Sequence, residues 1–231
     1  MLLSVAVPRL RRATHIERWS LANALVMLGA VGASVLWATV WPLMLAGTVM
    51  LSVLTGVASS RWTPSGTFGG ANLLTALRLG AIAALSMLPP TADVLACAIG
   101  FTVLLTDGLD GWLARRYGWA SEFGEFFDKE TDTLFVVLLC IMLALRGDAS
   151  AWLVAVGALR YPFVLTLFAT QSDAAKEPRS NLSRSIYVGF VLALLGAFVL
   201  HPAWAVPLLW AGVIGLLGSF GRSFAWAIRG A

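Results

Sequence analysis

Long apolar runs, separated by short polar turns, divide this chain into eight segments at roughly 20–40, 42–60, 73–89, 94–115, 124–145, 150–170, 185–200 and 203–226. The runs are rich in Leu and Ala and lack period-2 alternation, so they read as helices. Trp41-Pro42, Pro89-Pro90, Arg146-Gly147-Asp148 and His201-Pro202 mark turns at one side. Arg61 to Gly70, Arg115 to Phe123 and Gln171 to Arg184 mark them at the other. A helix needs about 20 residues to cross about 30 Å of hydrocarbon, and most segments have that length. The pattern predicts an all-α integral membrane protein of about eight spans.

Two segments depart from this pattern in the same way. The apolar parts of 94–106 and 133–145 are only 13 residues each, and each becomes a 22-residue span when the polar stretch beside it joins the helix. At about 1.5 Å per residue, that stretch supplies the missing membrane depth. Its carboxylates are therefore expected from the interface to a turn or two below it, at the mouth of a polar cavity.

Composition agrees. Hydrophobic residues are 59% of the 231 and charged residues 12%, with a mean hydropathy of +0.83. That much apolar surface needs lipid as its solvent, where only helices or closed barrels satisfy the backbone. With eight spans, Arg9, Arg11, Arg12, Arg18, Arg61, Arg115, Arg116, Lys129, Lys176, Arg179, Arg184, Arg222 and Arg229 fall on one side and Arg146 on the other. The positive-inside rule then places both termini and the polar cavity at the cytoplasmic face of the inner membrane. Residues 1–19 read as a basic juxtamembrane segment against an anionic leaflet rather than a signal peptide, because Pro8 breaks the short apolar stretch before the arginines. The net charge of +4 is accounted for in this way, and no nucleic-acid partner is expected. Cys97 and Cys140 lie in apolar runs and read as packing residues, and the two histidines, His15 and His201, make no zinc spacing.

The polar stretch reads TDGLDGWLARRYGWASEFGEFFDKETD and carries seven of the chain's 12 acidic residues. Carboxylates beside hydrocarbon are costly, and a bound cation is the evident reason to gather them. On a helix, Asp107, Asp110, Gly111 and Ala114 share one face at i, i+3, i+4 and i+7. Gly124, Asp128 and Asp132 share a face of the next helix at i, i+4 and i+8. A loop of about eight residues makes these helices antiparallel neighbours with converging acidic faces. Gly111, Ala114 and Gly124 leave a slot beside the carboxylates for a flat or bulky ligand. Oxygen-only ligands suit Mg²⁺ or Mn²⁺. Four carboxylates suit a pair of such ions about 4 Å apart, unless one aspartate is spared as a general base.

The order Asp-x2-Asp-Gly-x2-Ala-Arg-x8-Gly-x3-Asp-x3-Asp resembles the signature of the CDP-alcohol phosphotransferase family at every fixed position, Asp107, Asp110, Gly111, Ala114, Arg115, Gly124, Asp128 and Asp132. Upstream, Gly70-Ala71-Asn72-Leu73-Leu74-Thr75-Ala76-Leu77-Arg78 is similar to the family's Pro-Asn-x-Leu-Thr-x2-Arg, with Ala71 in place of the proline. The resemblance implies a six-span catalytic core over 71–231 and leaves the transmembrane hairpin 20–60 as an addition. It also implies a mechanism. Two divalent ions on Asp107, Asp110, Asp128 and Asp132 would bind the diphosphate of a CDP-linked lipid donor. The cytidine would lie at Gly111, Ala114 and Gly124, with Asn72, Thr75, Arg78 and Arg115 nearby, and Asp132 would deprotonate the acceptor hydroxyl.

Other charged positions stay open between two roles. Arg160 lies mid-segment, either holding an acceptor phosphate or making a structural ion pair. Lys176, Arg179 and Arg184 form an acceptor pocket or an ordinary polar loop. Glu122, Glu125 and Glu130 are expected to be solvated or paired with Lys129 and Arg116. Gly212, Gly215, Gly218 and Gly221 make a smooth ridge for close helix packing, with a homodimer seam as the lesser reading. The leading function is transfer of a phosphatidyl group from CDP-diacylglycerol to a small polar alcohol, such as glycerol 3-phosphate or inositol phosphate, with release of CMP. The runner-up is transfer of a CDP-linked head group to diacylglycerol. A cation transporter is disfavoured because the acidic residues sit at one end and leave the midplane apolar, and an inactive scaffold because no fixed position is altered.

Overall fold

The computed structural model describes residues 15–59, 61–170 and 181–229, so Arg9, Arg11, Arg12, Lys176 and Arg179 lie outside the described residues. Those described form nine helices and no strand: α1 His15–Leu36, α2 Trp41–Val57, α3 Gly70–Ser86, α4 Asp93–Tyr117, α5 Glu122–Arg146, α6 Trp152–Gly157, α7 Arg160–Thr170, α8 Asn181–Val199 and α9 Pro202–Arg229. Among these, α1, α4, α8 and α9 are long and apolar enough to cross a membrane. Their outer faces carry exposed apolar side chains, among them Leu25 on α1, Val94 and Leu105 on α4, and Trp204 and Ile214 on α9. That is the surface hydrocarbon would cover.

The two short apolar runs lengthen as their polar flanks predicted. Helices α4 and α5 have 25 residues each and carry all seven acidic residues of the polar stretch. The connection between them is shorter than expected, only residues 118–121. Helix α4 stops at Gly118, whose φ of 69° is costly for residues with a Cβ. Helix α5 starts at Ser121, whose Oγ accepts the Gly124 N–H at 3.0 Å while donating to the Trp62 carbonyl at 2.7 Å.

Helix α5 carries too many charges for the apolar set, and the fold resolves this by placing it inside. Residues 133–141 are buried without interruption, and the helix packs against α1, α2, α3, α6 and α8. The acidic helices pack less on one another than expected; α4 rests chiefly on α3 and α8, which also flank α5. The predicted single span 150–170 is broken at Ala158 and Leu159 into α6 and α7. Pro162 explains the break, since a proline inside a continuous helix would clash with the carbonyl of residue 158, whereas in the first turn of α7 it is tolerated.

The N-terminal hairpin is packed into the bundle. Trp19 Nε1 donates to the Met50 carbonyl at 2.9 Å, joining α1 to α2. A Cβ on Gly47 of α2 would stand 2.8 Å from Leu134 Cδ1 of α5. At the end opposite the acidic stretch, Arg146 pairs with Asp93 and, at 2.6 Å, with Asp148.

The glycine ridge of α9 divides. Cβ atoms on Gly212 and Gly215 would press on Phe190 and Ile186 of α8, at 2.9 and 3.3 Å, while Gly218 and Gly221 have open space. Gly212→Leu is therefore expected to destabilise the protein by about 1–3 kcal/mol through overpacking, and Gly218→Leu to leave it unchanged or firmer. Thermal unfolding of both variants in detergent checks the contrast; equal midpoints would contradict the α8–α9 packing.

Candidate active site

The site is built around a cation supplied by the chain itself. Arg78, on α3, is 3% exposed. Its Nη1 donates to Asp110 Oδ2 at 2.6 Å and to Asp128 Oδ1 at 2.7 Å. Its Nη2 donates to Asp107 Oδ1 at 3.2 Å and to Asp132 Oδ1. Thr75, one turn before Arg78, adds its hydroxyl to Asp110 Oδ2 at 3.2 Å. The four aspartates therefore converge as their spacing required, but on a residue expected beside a nucleotide.

Four carboxylates against one guanidinium leave a formal excess of three negative charges when all are ionised. The carboxylate oxygens of Asp107, Asp110 and Asp128 lie within 4.8 Å of one another, and Asp132 stands beside them on Arg78. An all-oxygen, net-negative cluster of this size is the donor set that a hard divalent cation takes, so the residues present fit a metal centre.

Beside the aspartates a cavity of about 940 Å³ opens, with Asp110 and Asp128 in its wall. Asn72, Thr75, Gly111, Ala114, Arg115 and Gly124 also line it, as does Arg160. Asn72 has a structural duty as well. Its Nδ2 donates to the carbonyls of Trp62 and Phe68 at 3.0 and 2.6 Å, which fastens the 61–69 loop to α3. A Cβ on Gly124 would stand 2.9 Å from Asn72 Oδ1, and one on Gly111 3.3 Å from Arg115 Nη1. These glycines thus admit protein side chains as well as leaving room. Exposed Arg115 folds over Gly111 at the cavity's edge. Trp119 packs on Gly70, where a Cβ would meet its ring at 2.8 Å.

Arg160 takes the ion-pair arrangement. Its Nε and Nη2 donate to Glu130 Oε1 at 3.1 and 2.6 Å, and Nη1 has no partner among the described residues. Glu130, expected in solvent or against Lys129 and Arg116, is 4% exposed and pairs inward. Lys129 instead meets Glu125 at 2.6 Å, an exposed pair of little energetic weight. Arg184 stands over α4, its Nη2 3.5 Å from where a Cβ on Gly108 would be. Sequence reasoning missed the far wall, formed by Ser183 and Tyr187 of α8 and Ser219 and Ser223 of α9. The i, i+4 pair of serines, at the end of a long apolar run, was the available signal.

The profile of the CDP-alcohol phosphatidyltransferase family matches residues 68–218. The chain belongs to this family. The matched region begins just before α3 and leaves α1 and α2 outside it. Among curated relatives, a probable phosphatidylglycerophosphate synthase of Mycobacterium tuberculosis is 38% identical over 89 residues, 36% of this chain and 43% of the relative. A CDP-diacylglycerol–glycerol-3-phosphate 3-phosphatidyltransferase of Arabidopsis thaliana is 36% identical over 130 residues, 50% of this chain and 55% of the relative. One of that name from Rickettsia bellii is 32% identical over 81 residues, 33% and 45% of the two chains. The chain thus spans about half the length of the curated relatives it matches. No solved structure matches it significantly. Family membership and the four apolar helices together make this a membrane protein.

Removing Arg78 leaves four buried or half-buried carboxylates facing one another. Arg78→Gln is expected to lower stability by about 3–5 kcal/mol. Added Mg²⁺ or Mn²⁺ should restore part of that loss, because a ligand bound only to the folded state stabilises it by mass action. Thermal unfolding in detergent, with and without the ions, provides the readout; a variant as stable as the parent would remove Arg78 from the centre of the site.

Proposed function

We propose that this membrane protein synthesises a phospholipid by transferring a phosphatidyl group from CDP-diacylglycerol to a small polar alcohol, releasing CMP. The observation that carries this reading is the convergence of four aspartates beside a large cavity with Arg160 in its wall. Glycerol 3-phosphate is the favoured acceptor, since relatives carry it in their names and a phosphorylated alcohol suits a cavity with Arg160 in its lining.

Asp107, Asp110, Asp128 and Asp132 would hold two divalent ions, Mg²⁺ or Mn²⁺, which when bound neutralise the donor diphosphate and the departing CMP. Gly111, Ala114 and Gly124 border the space for the cytidine, with Asn72, Thr75 and Arg115 at its edges. Arg78 keeps the carboxylates gathered and limits their mutual repulsion. Arg160 orients the acceptor phosphate through Nη1, and Arg184 approaches from α8. Asp132 takes the proton of the acceptor hydroxyl. The acceptor oxygen then bonds to the phosphorus carrying the diacylglycerol, and the bond from that phosphorus to the bridging oxygen breaks, leaving CMP. The donor's acyl chains stay in hydrocarbon while its nucleotide stays in water. The basic side of the chain supports a site and termini facing the cytoplasm from the inner membrane. On this reading residues 71–231 form the catalytic core and the hairpin 20–60 is an accessory.

Purified protein with Mg²⁺ or Mn²⁺, CDP-diacylglycerol and glycerol 3-phosphate is expected to release CMP, and chelation to stop it. Reaction of CDP-linked head groups with diacylglycerol instead would reverse the donor assignment. Asp132→Asn should lower kcat by about 10²–10⁴-fold while metal-dependent donor binding persists, and lost binding would make Asp132 chiefly a ligand. Arg160→Lys keeps a charge for Glu130 but loses the planar fork, and should raise the KM for glycerol 3-phosphate about tenfold.

A further inference from the structure

From the N-terminal hairpin, which precedes the family match, a hydrogen bond from Asn23 reaches the Glu130–Arg160 pair. Asn23 lies in the apolar run of α1, is 3% exposed, and donates its Nδ2 to Glu130 Oε2 at 2.8 Å across 107 residues of sequence. Glu130 sits on α5 between Asp128 and Asp132, and its other oxygen accepts both bonds from Arg160. The buried carboxylate is thus held from two sides, by the hairpin and by α7. A carboxylate fixed at both oxygens has one orientation, and so does the planar guanidinium that forks onto it. An amide inside a membrane helix would otherwise be turned toward a partner or costly; here the partner is the group that aims Arg160.

We propose that Asn23 is a positioning residue for the acceptor side of the cavity, fixing Glu130 and through it the Arg160 guanidinium. The N-terminal hairpin is thereby part of the working site. The proposal rests on the reading of Arg160 as an acceptor-facing residue. Without the Asn23 amide, Glu130 keeps its ion pair but gains freedom to swing, and Arg160 swings with it. The aspartates and the nucleotide slot do not depend on this link, so the effect falls on one substrate.

The test is steady-state kinetics on the whole 231-residue chain in detergent with CDP-diacylglycerol and glycerol 3-phosphate. Asn23→Leu, of similar volume but without the donor, should raise the KM for glycerol 3-phosphate about tenfold, with kcat and the KM for CDP-diacylglycerol unchanged. Asn23→Gln, which restores an amide donor, should recover most of that loss. Unchanged acceptor KM in Asn23→Leu, or a parallel loss in kcat and both KM values, overturns the proposal. So does failure of Asn23→Leu and Asn23→Ser alike to fold, which would assign Asn23 to stability alone. Arg160→Lys separates the two readings. If it leaves the acceptor KM unchanged, the acceptor-facing role of Arg160 fails; if it raises that KM and Asn23→Leu does not, only the role of Asn23 fails.

Discussion

One buried guanidinium shared among four carboxylates is the interaction on which the rest of the structure depends. Charges of this density are tolerated next to hydrocarbon only when each is paired and kept from lipid. Arg78 meets the first condition by donating to Asp107, Asp110, Asp128 and Asp132. The second dictates the helix arrangement. Helix α5, which carries Asp128, Glu130 and Asp132, is enclosed by α1, α2, α3, α6 and α8. The apolar helices α1, α4, α8 and α9 present exposed leucines, valines and tryptophans outward.

Glu130 extends the same constraint to the other side of α5. Two residues from either aspartate, it points away from them and needs its own partners. Arg160 supplies one from the first turn of α7, a position that exists because Pro162 forces the chain to restart there. Asn23 supplies the other from α1. Two polar clusters therefore flank one central helix, and each recruits elements distant in sequence. The same pairings that make the charges tolerable also decide which groups face the cavity.

Much of the fold could be read from the chain. The apolar runs predicted helices because a backbone in lipid has few alternatives, and the 13-residue runs predicted that the acidic stretch continues both helices. The aspartate spacing predicted two carboxylate faces, and these do converge. What escaped was the identity of each partner. Arg78 was expected beside a nucleotide, Glu130 in solvent or against Lys129 and Arg116, and α4 and α5 as direct antiparallel neighbours. Helical periodicity says which residues share a face, but not which other helix arrives there. The serines and Tyr187 of the far wall escaped for the same reason, since α8 and α9 follow α5 by dozens of residues.

An all-helical membrane chain, its polar end and the residues with the chemistry to hold a cation are legible in the residues alone, since these follow from hydrogen bonding, span length and local spacing. That the centre of the aspartates is Arg78, that Glu130 binds inward, and that Asn23 of the hairpin reaches the core emerge only from the folded bundle. Those outcomes are pairings between helices, and a buried charge takes whichever partner the packing of the whole bundle brings within reach.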